Sequence, residues 1–105
     1  MRQRVLTIQD RTFAEMNRAE AAVVAAMDGI NQASAAGVPA EGLAEARALH
    51  RRAQLRWDFI SAENSMGFHS GQEAARILGD AIDYARQAQL SAYQAMFKTQ
   101  QGSAR

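Results

Sequence analysis

W-D-F-I-S-A-E-N-S-M-G-F-H-S-G-Q-E, residues 57–73, is the stretch whose reading decides the fold. On either side of it the sequence is plain helix. Within it the turn formers Asn64, Ser65 and Gly67 interrupt the helical period, and Gly71 follows. Asn and Gly accept backbone angles that other residues resist, so a break belongs here. Ser70-Gly71-Gln72-Glu73 then has the spacing of a capping box, with Ser70 capping the Glu73 amide and Glu73 reaching back. His69 falls just outside that helix start. A side chain held between two helix ends is aimed, as a metal ligand has to be.

Working outward, the segment from about Ala40 to Glu63 carries Leu43, Ala46, Leu49, Ala53, Trp57 and Ile60 on one stripe. Leu55 and Phe59 lie on a neighbouring face, so this helix is apolar over a wider arc near its end. Something should cover both faces there. On the far side, about Gly71 to Lys98 places Ile77, Leu78, Ala81, Ile82, Ala85, Ala88, Ala92 and Met96 at helical spacing. Thr99 to Ser103 reads as a polar end that frays. Upstream, about Arg4 to Ala35 reads as one long helix with Ile8, Phe13, Met16, Ala19, Val23, Met27 and Ile30 on its apolar stripe. Asp10, Arg11, Glu15, Arg18 and Glu20 lie mostly off it. Gly37 is placed to cap that helix, and Pro39 fits the first turn of the next. Short connections make successive helices antiparallel neighbours. The expected fold is therefore all-α: one domain over 1–105, three long helices in an elongated antiparallel bundle. Helices of roughly 25 to 30 residues would each span about 37–45 Å.

The 105 residues are 48% hydrophobic, but much of that is alanine, and only seven residues are Phe, Trp or Tyr. Such a core is thin for an elongated shape, which implies a partner chain or a second copy. A net charge of +1 makes no case for nucleic acid or for a membrane surface. The absence of cysteine excludes disulfides, thiolate zinc sites, iron–sulfur clusters and haem attached through C-x-x-C-H. No apolar run approaches a membrane span, and the first ten residues contain no signal-peptide apolar region.

His69 has two readings from its residues alone: an axial ligand to a metal, haem iron first, or a surface loop histidine. Phe68 is either a flat apolar wall for a porphyrin or a hydrophobic staple against the new helix. Met66 is a thioether ligand or packing. Arg47, Arg51, Arg52 and Arg56 form a helix edge, either a solvated face or a clamp for phosphate or propionate. His50, among them, reads as solvated. Trp57 is the largest core contributor of its helix. Asp58 either anchors the loop, as Glu63 and Asn64 could, or is a solvated carboxylate. No nucleophile–base set, phosphate loop or paired carboxylates appear, so the residues alone describe a helical interaction module.

Four segments carry a resemblance: I-Q-D-R-T at 8–12, Q-L-R-W-D-F at 54–59, A-E-N-S-M-G-F-H at 62–69 and Q-E-A-A-R-I-L-G at 72–79. In order and spacing they resemble the C-terminal helical part of the ammonia-forming cytochrome c nitrite reductases, the pentahaem cytochrome c552 family. The R-W-D element followed by N-x-x-x-F-H and Q-E is far more specific than a helical period. The resemblance implies long helices that pack on a haem-bearing core and form much of a homodimer contact. It implies His69 as the distal axial ligand of one bis-histidine haem, in the connection between helices two and three. It also implies a periplasmic parent enzyme that takes nitrite to ammonium by six-electron reduction through c-type haems.

The departures from that family are large. Every C-x-x-C-H site is missing, as is the C-x-x-C-K site of the catalytic haem. The family's active-site lysine, arginine, tyrosine and histidine, and its calcium site, lie upstream of the matching segment. Gly71 stands where many relatives have proline. The expectation is thus a structural, dimerising and haem-ligating C-terminal domain, not catalytic alone, with haem c carried by the parent's core. The alternative is a free-standing helical bundle, either an oligomerisation module or a non-covalent haem binder through His69.

Overall fold

The computed structural model describes residues 2–66 and 70–103, with side chains from 10 to 66 and from 70 to 102. Three helices account for nearly all of it: α1 (Arg2–Ala35), α2 (Ala44–Ser65) and α3 (Gly71–Ser103), with a single 3-10 turn, Ala40–Leu43, leading into α2. Successive helices are antiparallel, so α1 and α3 run the same way. α3 packs along both of the others, while α1 and α2 meet over a shorter seam. The all-α elongated bundle read from the sequence is the fold.

The molecule measures 65 × 18 × 17 Å, with a radius of gyration of 16.8 Å against the roughly 13 Å of a compact domain this long. With 34 and 33 residues, α1 and α3 are each about 50 Å long. They are shorter than the molecule, so their ends are offset along the axis.

Three clusters of buried residues follow one another along the bundle. Met16, Ala19, Ile60, Ala74, Leu78 and Ala81 pack near the α2–α3 connection. Ala22, Val23, Ala26, Leu49, Ala53, Ala85 and Ala88 fill the middle. Ile30, Ala33, Val38, Leu43, Ala46 and Ala92 close the far end. Alanine at facing positions lets helix axes approach closely, and close contact replaces bulky side chains as the source of cohesion. Of the α2 stripe, Leu43, Ala46, Leu49, Ala53 and Ile60 are buried and Trp57 is half-buried; of the α3 stripe, Leu78, Ala81, Ala85, Ala88 and Ala92 are buried, while Ile77, Ile82 and Met96 are half-buried.

On α1 the register is shifted. Met16, Ala19, Val23 and Ile30 are buried, but Phe13 and Met27, expected in the core, are 62% and 40% exposed. Ala22, Ala26 and Ala33 fill the core in their place. A stripe of large residues was a poor guide here because the seam itself is built from alanine. The side chain of Ile8 lies outside those described.

The α1 terminus shows why the chain reverses where it does. Gly37 takes φ +101°, a left-handed conformation that costs a non-glycine residue about 1–2 kcal/mol. Its amide donates to the Ser34 carbonyl at 3.1 Å, and the Val38 amide donates to Ala33 at 3.0 Å. Together these are the paired bonds of a Schellman ending, completed by contact between buried Val38 and Ala33. Pro39 does not enter the first turn of the next helix. It caps the 3-10 turn from just outside, with extended angles. The helix expected to run unbroken from Ala40 pauses at Leu43, whose side chain is fully buried, before α2 proper begins.

Two further boundaries move. Asn64 and Ser65 are still helical rather than breakers, and Ser65 Oγ donates to the Ser61 carbonyl at 3.0 Å. Serine can return its hydroxyl to a carbonyl one turn back, so it does not have to end a helix. At the other end α3 continues through the polar residues Thr99 to Gln101 as far as Ser103.

Candidate functional site: the end of the bundle at the α2–α3 connection

His69 and Phe68, the ligand and its apolar neighbour in the sequence reading, lie outside the described residues, as does Gly67. The two helix ends that flank them are described. The Met66 amide closes α2 by donating to the Ala62 and Glu63 carbonyls at 3.2 and 3.1 Å. Across the connection, Ser70 Oγ accepts from the Glu73 amide at 3.5 Å, a long bond for a cap, and the Ser70 carbonyl accepts from Ala74 at 2.9 Å. The capping serine is therefore where the S-x-x-E spacing puts it.

Trp57 secures this end of the molecule. Its indole Nε1–H donates to the Met16 carbonyl of α1 at 2.9 Å, and its ring packs on the cluster of Met16, Ile60 and Leu78. The ring is half-buried, less than a core tryptophan, because the polar nitrogen has to reach a backbone acceptor at the helix surface. Nothing in the spacing of the sequence pointed to that bond.

The outer face of α2 carries Leu55, Phe59 and Met66 in one row that runs toward the connection. They are 65%, 49% and 67% exposed. The wide apolar arc expected near the end of helix two is present, and no described residue covers it. Beside that row, Arg56 and Arg52 lie over the ring of Tyr84 on α3, their guanidinium carbons 4.5 and 5.8 Å from its centroid. Arg56 Nη1 also donates to the Arg52 carbonyl at 2.9 Å. Arg56 is half-buried and Arg52 exposed, and both lie against that ring, while Arg47 and Arg51 are exposed.

Asp58 is exposed and accepts from Gln54 Nε2 at 3.0 Å within its own helix, so it is a helix-surface carboxylate and not a loop anchor. Glu63, Asn64 and His50 are half-buried. Among the described residues, no three His, Cys, Asp or Glu side chains come together as metal ligands, and no helix is long and apolar enough to cross a membrane.

Whether these residues suit a haem can be judged from their chemistry. A porphyrin is a flat apolar body with two carboxylates on one edge. An uncovered apolar row beside two ordered guanidiniums matches both parts. The absence of cysteine rules out thioether attachment to this chain. A groove of about 370 Å³ between α1 and the start of α3 is lined by Arg11, Thr12, Glu15, Gly71, Gln72 and Ala75. The α2 row is open to solvent, so its residues fit one face and one edge of a porphyrin.

Comparison with known proteins bears on the chain as a whole. The family model for cytochrome c552 matches residues 1–104. The cytochrome c nitrite reductase subunit NrfA of Nitratidesulfovibrio vulgaris is 34% identical over 93 residues, covering 84% of this chain and 18% of that protein. A cytochrome c-552 of Parabacteroides distasonis is 33% identical over 98 residues, covering 93% of this chain and 20% of the relative. A cytochrome c-552 of Bacteroides fragilis is 51% identical over 49 residues, covering 47% of the chain and 10% of the relative. The chain spans about a fifth or less of the length of these proteins. No solved structure matches it.

Proposed function

The chain belongs to the cytochrome c552 family, and from that premise we propose that it is the C-terminal structural, dimerising and haem-ligating domain of a cytochrome c nitrite reductase. Its parent would reduce nitrite to ammonium in the periplasm, and this domain would not be catalytic alone. The observation that carries the reading is the uncovered row of Leu55, Phe59 and Met66 leading into the connection that contains His69. A helical bundle has no reason of its own to leave that row in water. A haem-bearing core packed against it would bury the row and bring His69 to an iron as an axial ligand. Haem c supplies the electron path, and its covalent attachment lies outside this cysteine-free chain.

Two other faces fit a homodimer. Leu90, Tyr93 and Phe97 form an exposed row on α3, and Phe13, Val24 and Met27 are exposed on α1. An alanine-lined bundle this slender gains from burying them against a second copy.

Haemin titration of the chain alone separates this function from a free-standing haem binder. One imidazole without an enclosing pocket should give weak binding or none. A tight one-to-one six-coordinate complex, lost in His69→Ala, would overturn the domain reading in favour of the free-standing binder.

A further inference from the structure

We propose that Arg52 and Arg56 receive the propionate edge of a haem carried by the haem-bearing part of the protein, while Leu55 and Phe59 meet its apolar face. This rests on the domain reading above and adds a contact to it. The argument begins with the cost of holding arginine still. A free arginine side chain gives up about 2 kcal/mol of rotamer freedom when it is fixed. Here both are ordered before any partner arrives, stacked against Tyr84 at 4.5 and 5.8 Å. Arg56 is fixed further by its bond to the Arg52 carbonyl.

Of the five N–H donors on each guanidinium, that bond uses one on Arg56. The others remain for an acceptor, since a cation over a ring face spends none of its N–H donors on a carboxylate or carbonyl. The occupant that satisfies them has to be anionic and able to take two forks. It also has to be apolar next to its charge, because Leu55 and Phe59 stand within one turn of Arg52 and Arg56 along α2. An acidic peptide would satisfy the arginines but not the exposed ring and leucine. A carboxylate-edged macrocycle satisfies both. Asp58 is engaged with Gln54, and on that face of α2 a carboxylate, Glu63, stands a turn beyond Phe59 toward the connection.

The test is a spectroelectrochemical titration of the haem-loaded protein that contains this chain, with Arg52→Gln/Arg56→Gln and His69→Ala compared. Positive charge near a propionate disfavours ferric haem, so the double glutamine variant should lower the midpoint potential of one haem and leave the others unmoved. His69→Ala should convert one haem from six-coordinate low-spin, which reports on the domain reading separately. An Arg52→Lys/Arg56→Lys variant keeps the charge and should restore most of the potential. If His69→Ala alters one haem while the glutamine pair shifts none, the domain reading stands and the propionate contact is wrong. If the glutamine pair changes the oligomeric state and no potential, the face is a protein–protein seam and the contact is again wrong. Tyr84→Phe keeps the ring and should leave the potential near that of the parent; a shift as large as the glutamine pair's would assign the effect to the tyrosine hydroxyl instead.

Discussion

The two ends of this bundle solve the same problem differently. At one end α1 turns back into α2, and the chain seals the turn with its own residues. Gly37 supplies the left-handed angle, two amides close on the Ser34 and Ala33 carbonyls, and Val38 and Leu43 are driven into the cluster with Ile30 and Ala92. At the other end α2 turns back into α3. Its described flanks have a long serine cap and an exposed methionine, and the apolar row on α2 faces outward. Both ends bury large apolar residues, Ile30 and Leu43 at the first and Ile60 and Leu78 at the second, but the second also carries the α2 row of Leu55, Phe59 and Met66 outside. An end finished within the chain is structural. On the function proposed above, the row left outside at the other end is where the haem-bearing part of the protein packs.

The largest effect that would sharpen this contrast is at the sealed end. Leu43→Ala removes a fully buried side chain and should cost about 2–5 kcal/mol in urea unfolding of the isolated chain. A cost below 1 kcal/mol would mean that the sealed end is no better consolidated than the open one. A smaller effect is expected at Trp57, which belongs to the open end but ties α2 to α1. Trp57→Phe keeps most of the ring and loses the bond to the Met16 carbonyl, for roughly 1 kcal/mol. A neutral result would show that water replaces the indole without loss, and that the open end is held by packing alone.

How much of this could be read in advance follows the same division. The helices, the glycine stop at Gly37 and the buried stripes of α2 and α3 were legible because each rests on a local rule: a period, a cap, a conformational preference. The core of α1 was legible only in part. Ala22, Ala26 and Ala33 carry little hydrophobic signal although they form the seam, while Phe13 and Met27 carry a strong one and face outward. The ends of α2 and α3 ran past their expected stops, since Ser65 bonds back to its own helix and polar residues can extend a helix already started. The indole bond to Met16 and the arginine stack on Tyr84 join residues 41 and 28 or more positions apart in sequence, and no local pattern reports such pairs. For the candidate site, the sequence marked the connection and the wide apolar arc beside it. It did not separate the two arginines that lie against Tyr84 from the other two, because that difference depends on where Tyr84 arrives from α3.

The smallest effect on stability is the most informative about function. Leu55→Ser with Phe59→Ser changes two residues that are large, apolar and about half to two-thirds exposed. Side chains already in water contribute little to folding, so the pair should move the stability of the isolated chain by no more than about 0.5 kcal/mol per site. The sealed end gives the reference: one buried leucine there should outweigh both of these together. In the haem-loaded protein the same pair should weaken the hold of this domain on the rest, seen as easier proteolytic release at unchanged helix content of the chain. The two measurements have to diverge for the row to be a docking face. If the isolated chain loses more than about 1 kcal/mol, Leu55 and Phe59 serve its own fold and the open end is open in appearance only. If both measurements stay flat, the row is ordinary surface, and the partner meets the bundle on the α1 or α3 rows instead.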